Sequence, residues 1–345
     1  MKFIIATSYV PFIRGGATLI VDWLKSKFEE FGHQAEVIRL PFVDSKDSMM
    51  EQMMSYRLLN LSEYGDCLIA LRPPAYLIQH PNKRLWFIHH FRVFYDLWQT
   101  EYCPFEDNLE NRSFRDRIME ADRVGLLESK NIFTNSQIVQ QRLLKFNQID
   151  SKVLYPPVFN PEIYRSEDYQ PFIACVCRME YHKRQHLLVE AMRYTRSNAK
   201  LLLAGASSSD QYPRTLKLKV LQYGLSQKVE IQDRWISEEE KSQIFNRCRA
   251  VAYLPFDEDS YGYPSLEAQH ASKPVLSTWD SGGVPELIVD RRNGRLVDAD
   301  PKSIAMAIDE LIEDRALAER MGSEGPRRIA ELDITWNRVI NSFAS

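Results

Sequence analysis

Phe172-Ile173-Ala174-Cys175-Val176 is an unbroken apolar run of the kind expected for a strand buried on both faces of a parallel sheet. It stands just after Pro156-Pro157 and Asn160-Pro161, which break the chain. It also restarts a pattern that the chain has already run through once. Downstream of it, the spacing predicts a helix over 186–192, a strand over 200–204, a helix around 215–223, a strand over 229–232, a helix over 238–246 and a strand over 250–253. Upstream, Phe3 to Ala6 reads as a short strand, followed by a loop with Pro11 and Gly15-Gly16. An amphipathic stretch comes next, with Leu19, Ile20, Trp23, Leu24 and Phe28 at helical spacing, then a stop at Gly32 and a second strand from Ala35 to Leu40. That is a βαβ unit, and further strands are expected at 67–70, 84–88, 131–134 and 152–155. The fold class is therefore α/β, with two facing Rossmann-like domains, each a parallel sheet with helices on both faces. The expected boundaries are 1–157 and 158–330, with the hinge near 156–162. Residues 331–345 form a closing amphipathic helix; its periodicity does not say where it packs, and the expectation is the N-terminal domain.

A chain of 345 residues favours two domains over one core. Hydrophobic residues at 44% and charged residues at 26% are ordinary for a soluble globular protein, and a net charge of −3 gives no reason to expect nucleic acid. The apolar start is too short for a signal-peptide core, and no apolar run approaches the roughly 20 residues that span a bilayer. Five cysteines without CxxC spacing make neither a disulfide framework nor a zinc site. Cys175 and Cys177 read as buried strand residues, and the expected compartment is the reducing cytosol.

Sheets of this kind bind ligands outside the carboxyl ends of their strands, so the loops decide the chemistry. The richest is Pro255-Phe256-Asp257-Glu258-Asp259-Ser260-Tyr261-Gly262-Tyr263-Pro264-Ser265-Leu266-Glu267-Ala268. It leaves a strand and enters a helix, with Pro264 suited to the first turn. Free N–H groups and the positive end of a helix dipole suit a phosphate or a sugar oxygen there. Gly262 lets a ligand approach the backbone, and Asp259 and Glu267, eight positions apart, can accept hydrogen bonds from sugar or ribose hydroxyls. The competing reading is a loop of solvated acids. The second loop is Arg178-Met179-Glu180-Tyr181-His182-Lys183, in which Arg178 supplies a bidentate fork and Lys183 a point charge for a diphosphate. Its competing reading is a solvated basic turn.

The chain resembles the family-4 retaining glycosyltransferases, which have the GT-B fold. Their pattern of Glu, seven residues, Glu is met by Asp259 and Glu267. It is followed by Ser272-Lys273-Pro274-Val275, Ser281-Gly282-Gly283-Val284-Pro285-Glu286 and Asn293-Gly294. Asp replaces the first Glu, and Ser272 stands where glycine is common. The resemblance implies a retaining hexosyltransferase that moves a sugar from a nucleotide-diphosphate sugar to a hydroxyl acceptor, which would be a glycan, a lipid-linked glycan or a small molecule. It implies that Asp259 contacts the donor sugar and Glu267 the ribose, with the backbone of Tyr261, Gly262, Tyr263 and Pro264 between them. Arg178 and Lys183 would bind the diphosphate and stabilise the leaving group. Gly16 matches the family's early Gly-Gly near the donor phosphates, and His89 its acceptor-side histidine, with His90 as a second candidate; the competing reading is a core-edge histidine hydrogen-bonded to backbone. Trp235 follows a strand where the nucleobase pocket begins, and the alternative is a core tryptophan. No cofactor and no metal are implied, and the location is the cytoplasm, with peripheral contact at the inner membrane face.

The aromatic segment from Phe91 to Trp98 is a candidate acceptor pocket, whereas Arg112, Arg115 and Arg117 read as a solvated helix face, the alternative being a face turned to an anionic acceptor or a membrane surface. Asp257-Glu258-Asp259 is also an Asp-x-Asp string, used with a metal by transferases of another fold, but it sits late in the chain before a glycine loop. The alternatives to a transferase are a catalytically weak nucleotide-sugar-binding protein and a phosphorylase-like or epimerase-like enzyme of the same fold. An oxidoreductase is disfavoured because the first loop has no GxGxxG.

Overall fold

A computed structural model of the chain describes residues 1–10, 16–100 and 102–345. It divides into two compact units, one of residues 1–157 with 334–345, the other of residues 158–333.

The first unit runs β1 (Lys2–Tyr9), α1 (Gly16–Glu30), β2 (Gln34–Pro41), α2 (Lys46–Leu58), β3 (Cys67–Ala70), β4 (Lys83–Phe87), α3 (Leu109–Leu127), β5 (Asn131–Thr134), α4 (Gln137–Asn147) and β6 (Lys152–Val153). Its six strands form a sheet of order β2-β1-β3-β4-β5-β6, parallel throughout. Strand geometry sends alternate side chains to opposite faces, and β1 serves two cores in this way. Ile4 and Ala6 join a cluster with Leu68, Leu85, Ile118 and Leu143, while Phe3 and Ile5 join another with Leu24, Phe28, Cys67 and Trp86. A sheet covered on both faces needs strands apolar at every position, as β3 is.

The second unit continues with β7 (Gln170–Val176), α5 (Gln185–Ala191), β8 (Lys200–Ala204), α6 (Gln211–Gln222), β9 (Val229–Gln232), α7 (Glu238–Arg247), β10 (Cys248–Ala252), α8 (Tyr263–His270), β11 (Val275–Thr278), α9 (Val284–Leu287), β12 (Gly294–Val297), α10 (Pro301–Glu313) and α11 (Arg315–Glu331). Its sheet has the order β12-β11-β10-β7-β8-β9, again parallel. Ser237 caps α7 by accepting from the Glu240 N–H at 3.1 Å, ahead of an all-acidic first turn that suits the helix dipole. Cys175 is buried in β7, but the strand stops at Val176, so Cys177 lies one residue past it and half-buried.

The last helix, α12 (Trp336–Ala344), belongs to the first unit. Trp336, Val339, Ile340 and Phe343 bury against Phe3, Trp86 and Phe133, and the Arg84 guanidinium donates to the Phe343 carbonyl at 2.8 Å.

Candidate functional site

Three loops leave the carboxyl ends of the neighbouring strands β7, β10 and β11 in the second unit, and their backbones are bonded to one another. The Phe256 N–H donates to the His182 carbonyl at 2.8 Å, the Asp257 N–H to the Asp280 carbonyl at 2.9 Å, and the Gly283 N–H to the Glu258 carbonyl at 2.9 Å. Arg184 ties the same three loops through its side chain. It donates to the Leu254 carbonyl at 2.8 Å, the Pro255 carbonyl at 2.9 Å and the Thr278 hydroxyl at 2.8 Å, and grips both Asp280 oxygens at 2.7 Å. Burial pushes the Asp280 carboxyl upward, but the Arg184 fork outweighs it and holds the pKa below the usual carboxylate range.

Two glycines let these loops close up. Gly262, at φ +68°, precedes α8, and a Cβ there would sit 2.2 Å from the Tyr253 ring. Gly282, at φ +63°, faces the Glu258 backbone so closely that a Cβ would lie 2.1 Å from its carbonyl oxygen. Both positions need the left-handed conformation and the empty volume that only glycine offers.

Within this frame Arg178 and Lys183 differ. Arg178 is exposed just past β7, and its guanidinium makes no hydrogen bond or ion pair among the described residues. Lys183 is buried in the turn 181–183. Its ammonium pairs with the Glu258 carboxylate, donates to the Tyr253 hydroxyl at 3.0 Å and lies 5.3 Å from the centre of that ring. Burial drives the Glu258 carboxyl upward, but Lys183, His182 and the Tyr253 hydroxyl together bring it below its ordinary value. The middle acid of the Asp-x-Asp string is therefore already neutralised by a lysine. Asp259, its neighbour, is half-buried.

Glu267 is buried in α8. Its Oε1 accepts from the Lys241 ammonium at 2.7 Å, and its Oε2 has no hydrogen-bond partner among the described residues, as is also true of the buried Ser265 hydroxyl. Burial pushes the Glu267 carboxyl above its usual pKa, with Glu238 adding to the rise and Lys241 and the nearby Tyr164 hydroxyl opposing it. Lys241 also reaches Glu238 at 2.9 Å, and the Tyr164 hydroxyl reaches Glu238 at 3.1 Å. Tyr261 is buried, whereas Tyr263 and Pro264 are half-buried.

Trp235, with 58% of its surface exposed, is not a core residue. It follows β9 at the sheet's edge, and the neighbouring Arg234 is paired with Glu240. Gly16 opens α1, and Gly15 lies outside the described residues. Of the two histidines after β4, His90 is buried, donates from Nε2 to Asn147 Oδ1 at 2.7 Å and packs 4.2 Å from the Tyr95 ring centre. His89 is half-buried, with Nδ1 2.8 Å from the His90 carbonyl. Burial depresses both imidazoles to about 4, so both are neutral at pH 7.

Arg184, Lys241 and Tyr164 went unread in the sequence. Each acts on a partner at least 26 positions away, at a distance that no periodic pattern reports.

Residues 159–328 match the model of the family described as glycosyl transferases group 1. Over 125 residues, or 36% of this chain, the sequence is 32% identical to alpha-1,3/1,6-mannosyltransferase ALG2 of Dictyostelium discoideum, and the alignment spans only 29% of that protein. Among solved structures, sucrose-phosphate synthase from Thermosynechococcus elongatus superposes with a TM-score of 0.78 at 15% identity, covering 99% of this chain and 97% of that one. Anabaena Alr3699/HepE in complex with UDP-glucose superposes with a TM-score of 0.72 at 15% identity, covering 99% and 98%. At these identities the structural matches establish the fold, which is GT-B.

Proposed function

From a chain whose residues 159–328 carry a group 1 glycosyl transferase domain, we propose a metal-independent, retaining hexosyltransferase that draws on a nucleotide-diphosphate sugar and delivers to a hydroxyl acceptor. The observation that carries this reading is the bonded set of loops at the ends of β7, β10 and β11. It gathers Arg178, Lys183, Asp259 and Gly262 onto one sheet edge, where ligands of parallel sheets bind.

Transfer breaks the bond between the anomeric carbon and the diphosphate oxygen, forms a bond from that carbon to the acceptor oxygen, and releases the acceptor's proton. Negative charge grows on the departing diphosphate. Arg178, whose guanidinium has no hydrogen-bond or ion-pair partner among the described residues, can meet it with two parallel N–H bonds. Lys183 adds a second cation once the diphosphate competes with Glu258 for it. Asp259 would accept from the sugar hydroxyls. The Glu267 Oε2, which has no hydrogen-bond partner among the described residues, would accept from the ribose, which removes the cost of leaving a buried acceptor unmade. Trp235 offers an exposed face to a base. His89, Gly16 and the acceptor belong to the N-terminal unit in this reading. The complex of HepE with UDP-glucose and the mannosyltransferase name of the Dictyostelium relative support a hexose donor. Among the described residues no helix is long and apolar enough to cross a membrane.

A thermal-shift screen over UDP-, GDP-, ADP- and dTDP-sugars tests the proposal, because a ligand of the native state raises apparent stability. At least one donor should raise the midpoint, and Arg178→Ala should abolish the rise. No shift with any donor overturns the reading. The engagement of Lys183 by Glu258, together with Asp in place of the first Glu, favours one second reading, a nucleotide-sugar-binding protein with weak chemistry. Donor binding without donor turnover or hydrolysis would select it.

A further inference from the structure

The N-terminal unit carries a second candidate site. A cavity of about 390 Å³ opens beyond the end of β4, between the segment that follows His90 and the helices α3 and α4. Its size falls in the range of small-molecule pockets. Arg112 and Arg115, three apart on α3, share one helix face and line the cavity together with Lys145 of α4. They are therefore not simply a solvated face.

The three cations are unequally satisfied. Arg112 is bound by Asp107, with Nη2 to Oδ2 at 2.8 Å. Arg115 donates from Nε to the Phe94 carbonyl at 2.7 Å and stacks over Trp98 with 5.2 Å to the ring centre. That fixes the guanidinium while its two terminal nitrogens make no hydrogen bond among the described residues. Lys145 has no carboxylate partner among them either, and its ammonium lies 5.0 Å from the Phe146 ring centre.

The acid on the cavity wall does not offset these charges. Asp96 Oδ2 accepts from Arg92 Nη2 at 2.6 Å and lies 3.5 Å from Arg142, so two arginines already neutralise it. Its Oδ1 is buried without a hydrogen-bond partner among the described residues. Among the described residues that line the cavity, Arg112, Arg115 and Lys145 thus stand against Asp96.

We propose that this cavity is a binding site for a phosphate monoester borne on a hydroxylated skeleton, such as a sugar phosphate or the phosphorylated headgroup of a lipid. The phosphate lies between Arg115 and Lys145, where a guanidinium already oriented by Phe94 and Trp98 loses little freedom on forming a bidentate pair. A ligand hydroxyl donates to Asp96 Oδ1 and satisfies it. The rings of Trp98 and Phe146 give the skeleton apolar walls. The site is independent of the donor loops, so it stands or falls without reference to the reaction proposed above.

Calorimetric titration of the full chain, without nucleotide, tests it with glucose 6-phosphate, glucose, inorganic phosphate and vesicles of phosphatidylinositol 4-phosphate in phosphatidylcholine. Glucose 6-phosphate or the phosphatidylinositol 4-phosphate vesicles should bind at least tenfold more tightly than glucose or plain phosphatidylcholine, and the arm that binds identifies a soluble or a lipid source. Arg115→Gln and Lys145→Gln should each weaken that binding fivefold or more. Arg117→Gln, on the same helix but not lining the cavity, should leave it within twofold. Asp96→Asn should weaken glucose 6-phosphate, or the vesicles, more than inorganic phosphate. Binding no better than the neutral controls overturns the assignment. Equal losses from Arg117→Gln and Arg115→Gln also overturn it, because they would mark diffuse charge attraction.

Discussion

The Lys183 ammonium and the Glu258 carboxylate form an ion pair with the lysine side chain only 9% exposed, and the Tyr253 hydroxyl completes the lysine's shell. Breaking a buried pair strands a charge, whereas removing both partners does not. Lys183→Met and Glu258→Gln should each destabilise the C-terminal unit by about 1–3 kcal/mol, below the fully buried range because Glu258 is 24% exposed. The double variant should cost at least about 1 kcal/mol less than the sum of the singles in urea unfolding. Strict additivity would mean that the pair is not energetically coupled. If the donor diphosphate draws Lys183 away from Glu258, Glu258→Gln should bind the nucleoside diphosphate more tightly than the parent. Weaker binding would show that the pair is part of the bound state.

Arg178 should behave differently from Lys183, because it is exposed and its guanidinium has no partner among the described residues. Arg178→Ala should leave the unfolding midpoint nearly unchanged and lower turnover about 10²–10³-fold, the usual loss when one oriented donor to a developing oxyanion is removed. Turnover should persist in excess EDTA if these cations do the work. Complete loss that magnesium or manganese restores would argue for a metal instead.

Gly262 and Gly224 both have a positive φ, +68° and +65°, but not the same surroundings. A Cβ at Gly224 meets nothing within 4 Å, whereas one at Gly262 meets the Tyr253 ring at 2.2 Å. Gly224→Ala should therefore cost only the strain of the left-handed conformation, about 1 kcal/mol. Gly262→Ala adds a clash with the tyrosine that holds Lys183, and should cost at least about 2 kcal/mol more, with loss of donor binding. Equal midpoints for the two variants in chemical unfolding would mean that the loop adjusts freely.

The strands at Cys67–Ala70 and Asn131–Thr134 were legible in the sequence at their observed ends, the first as an apolar run after Asp66 and the second as Ile132-Phe133 between polar residues. β7 was read one residue too generously at Cys177, since an alternating thiol looks the same inside a strand and just past it. The loops that carry Arg178 and Asp259 were visible because each leaves a recognisable strand. What holds those loops together was not. Arg184 reaches residues 70 to 96 positions away, and Gly282 is required by a backbone 24 positions before it. Local pattern carries no information on such contacts. The same holds for Trp235, since nothing local distinguishes an exposed tryptophan from a core one.

Glu267 presents one oxygen to Lys241 and one to no described partner. If the second oxygen takes a ribose hydroxyl, Glu267→Ala should weaken the nucleoside diphosphate by about 1.5–3 kcal/mol. The sharper measurement compares that ligand with its 2′-deoxy and 3′-deoxy analogues. The parent should discriminate against at least one of them, and the variant should not. Undiminished discrimination in Glu267→Ala would place the ribose elsewhere.

Asp122 of α3 is buried between two phenols, accepting from Tyr76 at 2.6 Å and from Tyr95 at 2.7 Å. Burial raises its pKa to about 7, and the two hydroxyls only partly oppose the rise. An unfolded aspartate titrates near 3.9. Between these values the native state holds a proton that the unfolded state has released, so stability falls as pH rises. The contribution is fully present below about pH 4 and is lost as pH climbs through about 7. Asn has the shape of the neutral acid, with one acceptor and one donor, but it does not titrate. Asp122→Asn should therefore be close to the parent in stability at pH 5. It should gain on the parent by roughly 1.4 kcal/mol per pH unit toward pH 7, and the difference should level off above that. Urea unfolding of both proteins at half-unit steps from pH 5 to 8 measures the difference directly, with all shared titrations cancelling. Curves that run parallel across this range would mean that Asp122 is ionised throughout and that the two tyrosines alone suffice to hold its charge.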